Sequence, residues 1–207
     1  MDGGLAALLG TGWASGINLY ATVTLLGLLG RFAGLEGVPE AVQSWPVIVI
    51  AGAAFLVEAV ADKVPYLDNA WDAVHTVLRP LGAAVLGGAI AADSDISTIL
   101  GVLTTGGAAL GAHATKAGTR VAINTSPEPV SNIAVSLFED GMVAGMIWLV
   151  AEYPLVAGIA AVVLLIAGAA ILAMAWRVVR AGIRRLRRRG DDGDAGGSIR
   201  PPASTPT

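Results

Sequence analysis

Three stretches of this sequence hold the side chains that could do chemistry. In the first, Glu58 and Asp62 lie four residues apart and share a helix face, with Lys63 beside them. Pro65 ends that helix, and Asp68 or Asn69 caps a new one on which Asp72, His75 and Arg79 recur at spacings of three and four. In the second, His113, Lys116 and Arg120 share a helical face, and a polar loop follows with Asn124, Glu128 and Asn132. Within that loop Ser126, Pro127 and Glu128 read as an N-cap, a proline at the first helical position and an acid in the first turn. In the third, Glu139 and Asp140 are adjacent inside an apolar run, and Asn18 interrupts another. Carboxylates, imidazoles and cations in this pattern are the residue types of proton transfer and of ion or anionic-substrate binding.

The elements that must hold these groups are apolar helices. Of 207 residues 55% are hydrophobic and only 14% charged, and there are 27 glycines and no cysteine. A soluble domain is about one quarter charged, so the composition argues against a water-soluble single domain, and the lack of cysteine excludes disulfides and thiolate chemistry. Crossing about 30 Å of hydrocarbon takes about 20 apolar helical residues. Segments near 8–30, 46–62, 76–92, 96–115, 130–150 and 154–176 qualify. The expected fold is therefore all-α, a polytopic integral membrane bundle of six spans. The third is short or kinked at Arg79-Pro80, and a cytoplasmic amphipathic helix near 69–79 precedes it. Six spans place both termini on one side with Lys63, Arg79, Lys116, Arg120 and the arginine-rich tail, leaving Arg31 alone opposite. The positive-inside rule makes that side cytoplasmic, which implies a multi-pass cell-membrane protein.

Residues 1–176 form the transmembrane helical domain in this reading, carrying five basic against thirteen acidic side chains. A basic juxtamembrane helix extension, 177–189, carries Arg177, Arg180, Arg184, Arg185, Arg187, Arg188 and Arg189 and reads as an anchor for anionic lipid headgroups. The Asp/Gly and Pro/Ser/Thr stretch 190–207 has a disordered composition. The acidic body argues against nucleic-acid partners. Glycine pairs at four-residue spacing (Gly12/Gly16, Gly107/Gly111, Gly141/Gly145) permit close helix packing within the chain and leave a homo-oligomer open.

The polar strings resemble a known family of bacterial and plastid membrane proteins, the domain of unknown function 4126. The resemblance covers residues 12–150 through Gly16-Ile-Asn18-Leu-Tyr20, Glu58 with Ala61-Asp62-Lys63-Val-Pro65, Asp68 with Trp71-Asp72 and His75-Thr76, and Arg79-Pro80. It continues through His113 with Thr115-Lys116-Ala-Gly118-Thr119-Arg120 and the Asn124 to Asn132 loop. It implies an integral membrane protein and carries no catalytic assignment. A faint internal repeat accompanies these strings: Gly52-Ala-Ala and Gly107-Ala-Ala are each followed, six residues after the glycine, by a polar residue, Glu58 and His113.

Three function classes follow. The leading one is a small transporter or a lipid- or ion-handling carrier, with its polar site between helices at the cytoplasmic side, because ionisable groups at membrane depth commonly mark ion or substrate paths. Glu58 or Glu139 would carry a proton or cation, and Lys116 with Arg120 would hold an anionic group. The main competitor is an ion-pair network that only fixes helix register, in a non-catalytic scaffold or accessory subunit. An interfacial enzyme built on Asp68, Asp72, His75 and His113 ranks last, since the chain has two histidines and no HExxH, phosphate loop or nucleophile elbow. The expectation is a non-enzyme without metal or cofactor.

Overall fold

The computed structural model describes residues 3–64, 66–123 and 129–195; the side chains at 122–123, 129, 131–132, 179 and 181–195 fall outside that set. Seven helices make up the described chain: α1 (Gly4–Ile17), α2 (Leu19–Ala33), α3 (Trp45–Ala61), α4 (Leu67–Ala92), α5 (Thr98–Ile123), α6 (Pro129–Glu152) and α7 (Pro154–Ala195). The chain divides into two compact units, Met1–Ala169 and Ala170–Thr207, and all the packing described below belongs to the first.

Among the described residues three helical stretches are long and apolar enough to cross a membrane: Leu67–Ala92, Ile133–Glu152 and Pro154–Val178. The surface has the matching character. Ile50, Val85, Ile99 and Phe138 are exposed on the outer faces of α3 to α6, while Glu58, Arg79, Arg120 and His113 are fully buried. Apolar outside and charged inside is the inverse of a soluble protein and the expected arrangement in lipid.

Two sequence expectations are corrected. The single first span near 8–30 is two helices, each shorter than a span, because Asn18 takes an extended conformation (φ −149°, ψ 98°). Its side chain causes the new start: Asn18 Oδ1 accepts the Ala21 amide at 2.9 Å and so caps α2. Nor is there a separate amphipathic helix near 69–79 followed by a short third span. The polar and apolar halves are one 26-residue helix, α4, which passes through Pro80. Proline there removes one backbone donor, and the loss is local. Tyr66, outside α4's first turn, has φ +69°, the one positive φ of a non-glycine residue among those described. This left-handed step sharpens the turn from α3 into α4.

α1 sits at the centre of the first unit and is buried over almost its whole surface from Ala7 to Ile17. It packs on α5 through Gly12 and Gly16. A Cβ built on Gly12 would lie 2.5 Å from the Thr105 carbonyl, and one on Gly16 would overlap the Ala109 carbonyl. Small residues let helix backbones approach this closely where apolar burial supplies no net drive. Of the other pairs, Gly111 faces Leu165, whereas Gly107, Gly141 and Gly145 have open space beside them. The arginine run lies within α7, which continues past Gly190 to Ala195; the tail at 196–207 lies outside the described residues.

Candidate functional site

Four helix segments and the α1–α2 break bring one set of ionisable side chains together. α3 ends with Glu58 and Asp62 one turn apart, and α4 begins with Asp68, Asp72, His75 and Arg79 on its buried face. α5 contributes His113, Lys116 and Arg120, and α6 contributes Glu139; all of these are buried.

Arg79 is the hub between α3, α4 and α5. Its guanidinium donates from Nη2 to Glu58 Oε1 at 2.6 Å, and from Nη1 to Asp72 Oδ1 at 2.9 Å and to His113 Nδ1 at 2.7 Å. A guanidinium is always a donor, so His113 Nδ1 must accept and the ring is neutral with its proton on Nε2. That N–H faces Thr76 Oγ1 at 3.2 Å, and the Thr76 hydroxyl donates to the Asp72 carbonyl. His75 Nδ1 lies 2.8 Å from the Trp71 carbonyl and must donate, while its Nε2 meets the Tyr20 hydroxyl at 3.0 Å, a group able to donate to a neutral ring or accept from a charged one. The same imidazole stacks on Trp71 with centroids 4.7 Å apart.

Lys116 and Arg120 make the second centre. Lys116 Nζ is 2.6 Å from Asp62 Oδ2, 3.4 Å from Glu58 Oε1 and 3.6 Å from Glu139 Oε2. It also donates to the Ile17 carbonyl at 3.1 Å. That carbonyl lies at the end of α1, where the extended Asn18 interrupts the helix. Arg120 donates to Glu139 Oε2 at 2.6 Å and to the Asp62 carbonyl at 2.7 Å, and stands 3.7 Å from Asp68 Oδ2. Two helix C-termini, those of α1 and α3, therefore turn carbonyls onto cations of α5, the favourable sense of the helix dipole. Asp68 in the first turn of α4 and Arg120 in the last turn of α5 follow the same rule.

Most of the side chains expected from the sequence thus converge. Asn18 joins through Nδ2, 3.3 Å from half-buried Asp140 Oδ1. Lys63 stays at the margin, just past the end of α3, donating to the Ala59 carbonyl of that helix. Asn124 and Glu128, with the expected cap at Ser126, lie outside the described residues, as does the side chain of Asn132. The candidate site gains Tyr20, Thr76 and the Ile17 carbonyl, which sequence reasoning did not place in it. Tyr20 had a signal, two residues beyond the capping Asn18; Thr76 and a main-chain carbonyl had none. The repeat acquires a spatial meaning: Glu58 and His113, equivalent in it, reach the same guanidinium.

Among the described residues no group of three or more His, Asp or Glu side chains is placed to hold a metal ion. Asp72 is engaged by Arg79 and His75 by Tyr20. No curated protein and no solved structure matches the chain. A family described as "Domain of unknown function (DUF4126)" matches over residues 5–175. With most of its length covered by that match, the chain is a member of the DUF4126 family.

Proposed function

We propose that this protein is a small, non-catalytic membrane carrier whose working site is the buried ion-pair network, opening to the cytoplasmic side. The observation that supports the reading is the interrupted helix at Asn18, whose neighbouring Ile17 carbonyl holds Lys116 inside a cluster of carboxylates. Broken helices with free carbonyl ends, set among intramembrane charges, are the recurring way transporters build ion and substrate sites. A network that served only to fix register would not require the break. α1 and α2 together make one of six crossings in this reading, with both termini inside and the arginine run at 177–189 on anionic headgroups. The protein has no native cysteine, so single introduced cysteines test that topology by labelling from either side. A non-catalytic scaffold is the second reading. It draws on the open faces of Gly141 and Gly145, on which a second copy could pack.

The test uses proteoliposomes loaded with a pH-sensitive dye and challenged with a pH jump, alone and with a panel of small organic anions outside. Wild type is expected to move protons or solute faster than empty vesicles, and Glu58→Gln and Glu139→Gln to lose that flux while remaining folded. Flux equal to wild type in both folded variants would remove the carrier assignment.

A further inference from the structure

The chain has two histidines, and their contacts allow them different chemistry. His113 is held neutral. Arg79 Nη1 donates to its Nδ1 at 2.7 Å, so a further proton on that ring would set N–H against N–H. His75 is under no such constraint. Its Nδ1 donates to the Trp71 carbonyl at 2.8 Å whether the ring is neutral or charged. Its Nε2 meets the Tyr20 hydroxyl at 3.0 Å, and a hydroxyl donates to the neutral ring or accepts from the imidazolium. Protonation of His75 therefore breaks no contact and reverses one.

The surroundings suit a ring that changes charge. His75 is buried on the inner face of α4 and stacks on Trp71, with centroids 4.7 Å apart and planes 27° from parallel, so a cation there lies over an aromatic face. Also on α4, Asp72 and Arg79 are bound to each other. From α2, the half-buried Tyr20 ring meets the imidazole edge on at 5.5 Å. Glu58 of α3 and Arg79 are the charged groups whose fields reach the Tyr20 hydroxyl, Glu58 the more strongly. From α5, His113 stands beyond Thr76, and Lys116 beyond Glu58. Glu58 Oε1 is shared by Arg79 and Lys116, but its Oε2 is buried and has no partner among the described residues.

We propose that His75 is the proton-binding residue of the carrier and that Tyr20 transmits its charge to Glu58. The arriving proton bonds to Nε2, and the Tyr20 oxygen turns from donor to acceptor. The hydroxyl hydrogen stays on tyrosine and swings to the open Oε2 of Glu58. A new donor on Glu58 competes with Arg79 and Lys116, so one proton on α4 is felt at both ionic centres. Tyr20 lies in the first turn of α2, two residues past the break at Asn18, which ties the proton to the broken helix. The inference rests on the carrier reading and deepens it by naming the coupling ion and moving its uptake from Glu58 or Glu139 to an imidazole, the side chain suited to changing charge between about pH 5 and 8.

Solid-state NMR of the full-length protein in lipid vesicles, with isotope-labelled histidine, tests this directly. Ring nitrogens report tautomer and charge, so the two histidines are told apart in wild type without a variant. At about pH 8 one ring should be protonated at Nε2, His113, and the other at Nδ1, His75. On acidification to about pH 5 the second should become an imidazolium while the first stays neutral, and wild-type flux after a pH jump should follow the same titration. Folded Tyr20→Phe should keep the titrating ring and lose the flux, and folded His75→Gln should lose both. A His75 ring that stays neutral throughout overturns the inference, as does charging of His113 in its place, or wild-type flux in either variant. The two readings fail separately. A titrating His75 in vesicles without flux keeps the proton site and removes the carrier, whereas flux that persists in His75→Gln keeps the carrier and removes His75 from it.

Discussion

The antiparallel hairpin of α4 and α5 is held together in two different ways along its length. In one half, Gly87 and Gly101 are so close that a Cβ on Gly101 would lie 2.5 Å from the Gly87 carbonyl, and Gly106 sits against Ala84. In the other half the same two helices meet through Arg79 and His113, with Asp68 facing Arg120. The first half contains the cheapest adhesive available in lipid, close backbone packing. The second contains the most expensive, because desolvating ions costs about as much as their attraction returns, and apolar replacements of equal volume are often as stable. The close-packed half is sufficient to join two helices. The other half, where α3 and α6 add Glu58, Asp62 and Glu139 to the charges of the hairpin, holds far more ionic contact than joining two helices requires.

The largest effect expected on this contrast comes from Arg79→Ala. It strands Glu58, Asp72 and His113 together, and loss of one partner from a buried pair costs about 3–5 kcal/mol. The detergent-solubilised variant should unfold far below wild type or fail to accumulate, and Arg79→Lys should not restore it, because an ammonium cannot supply the fork that meets three acceptors. Lys116→Met comes next. It leaves Asp62 without its closest cation and should lower the thermal midpoint substantially, though less than Arg79→Ala, since Arg120 stands 3.5 Å from Asp62. In the close-packed half Gly101→Val should cost about 1–3 kcal/mol by overpacking, with no change in ion flux per folded molecule. Asn18→Ala removes the α2 cap and should cost about 1 kcal/mol by the same unfolding assay. Gly141→Ala, facing open space, should leave the midpoint unchanged.

Much of this was readable from residue order. Glu58 with Asp62, Asp72 with Arg79, and His113 with Lys116 and Arg120 each share a helix face because helical spacing puts them there, and they converge because apolar spans leave them no polar surroundings except one another. What local pattern does not encode was less visible. The break at Asn18 depends on one side chain capping α2 in a run whose hydropathy is continuous, so it reads as a single span. α4 appears as two elements in hydropathy because its first half is polar, yet that half is buried against α3 and α5 and the helix continues through Pro80. The role of Arg79 as hub is a property of three helices meeting, and no spacing within one helix predicts it.

The central claim, that the ionic half is kept for work and not for adhesion, is most directly tested by removing one ion pair without changing the net charge. Asp62→Leu combined with Lys116→Met does this, leaving Arg79 on Glu58 and Arg120 on Glu139. Measured in one preparation, the double variant is predicted to unfold at or above the wild-type temperature and to have lost proton flux in pH-jumped vesicles. A double variant that unfolds well below wild type, or one that is stable and still conducts, would contradict the account.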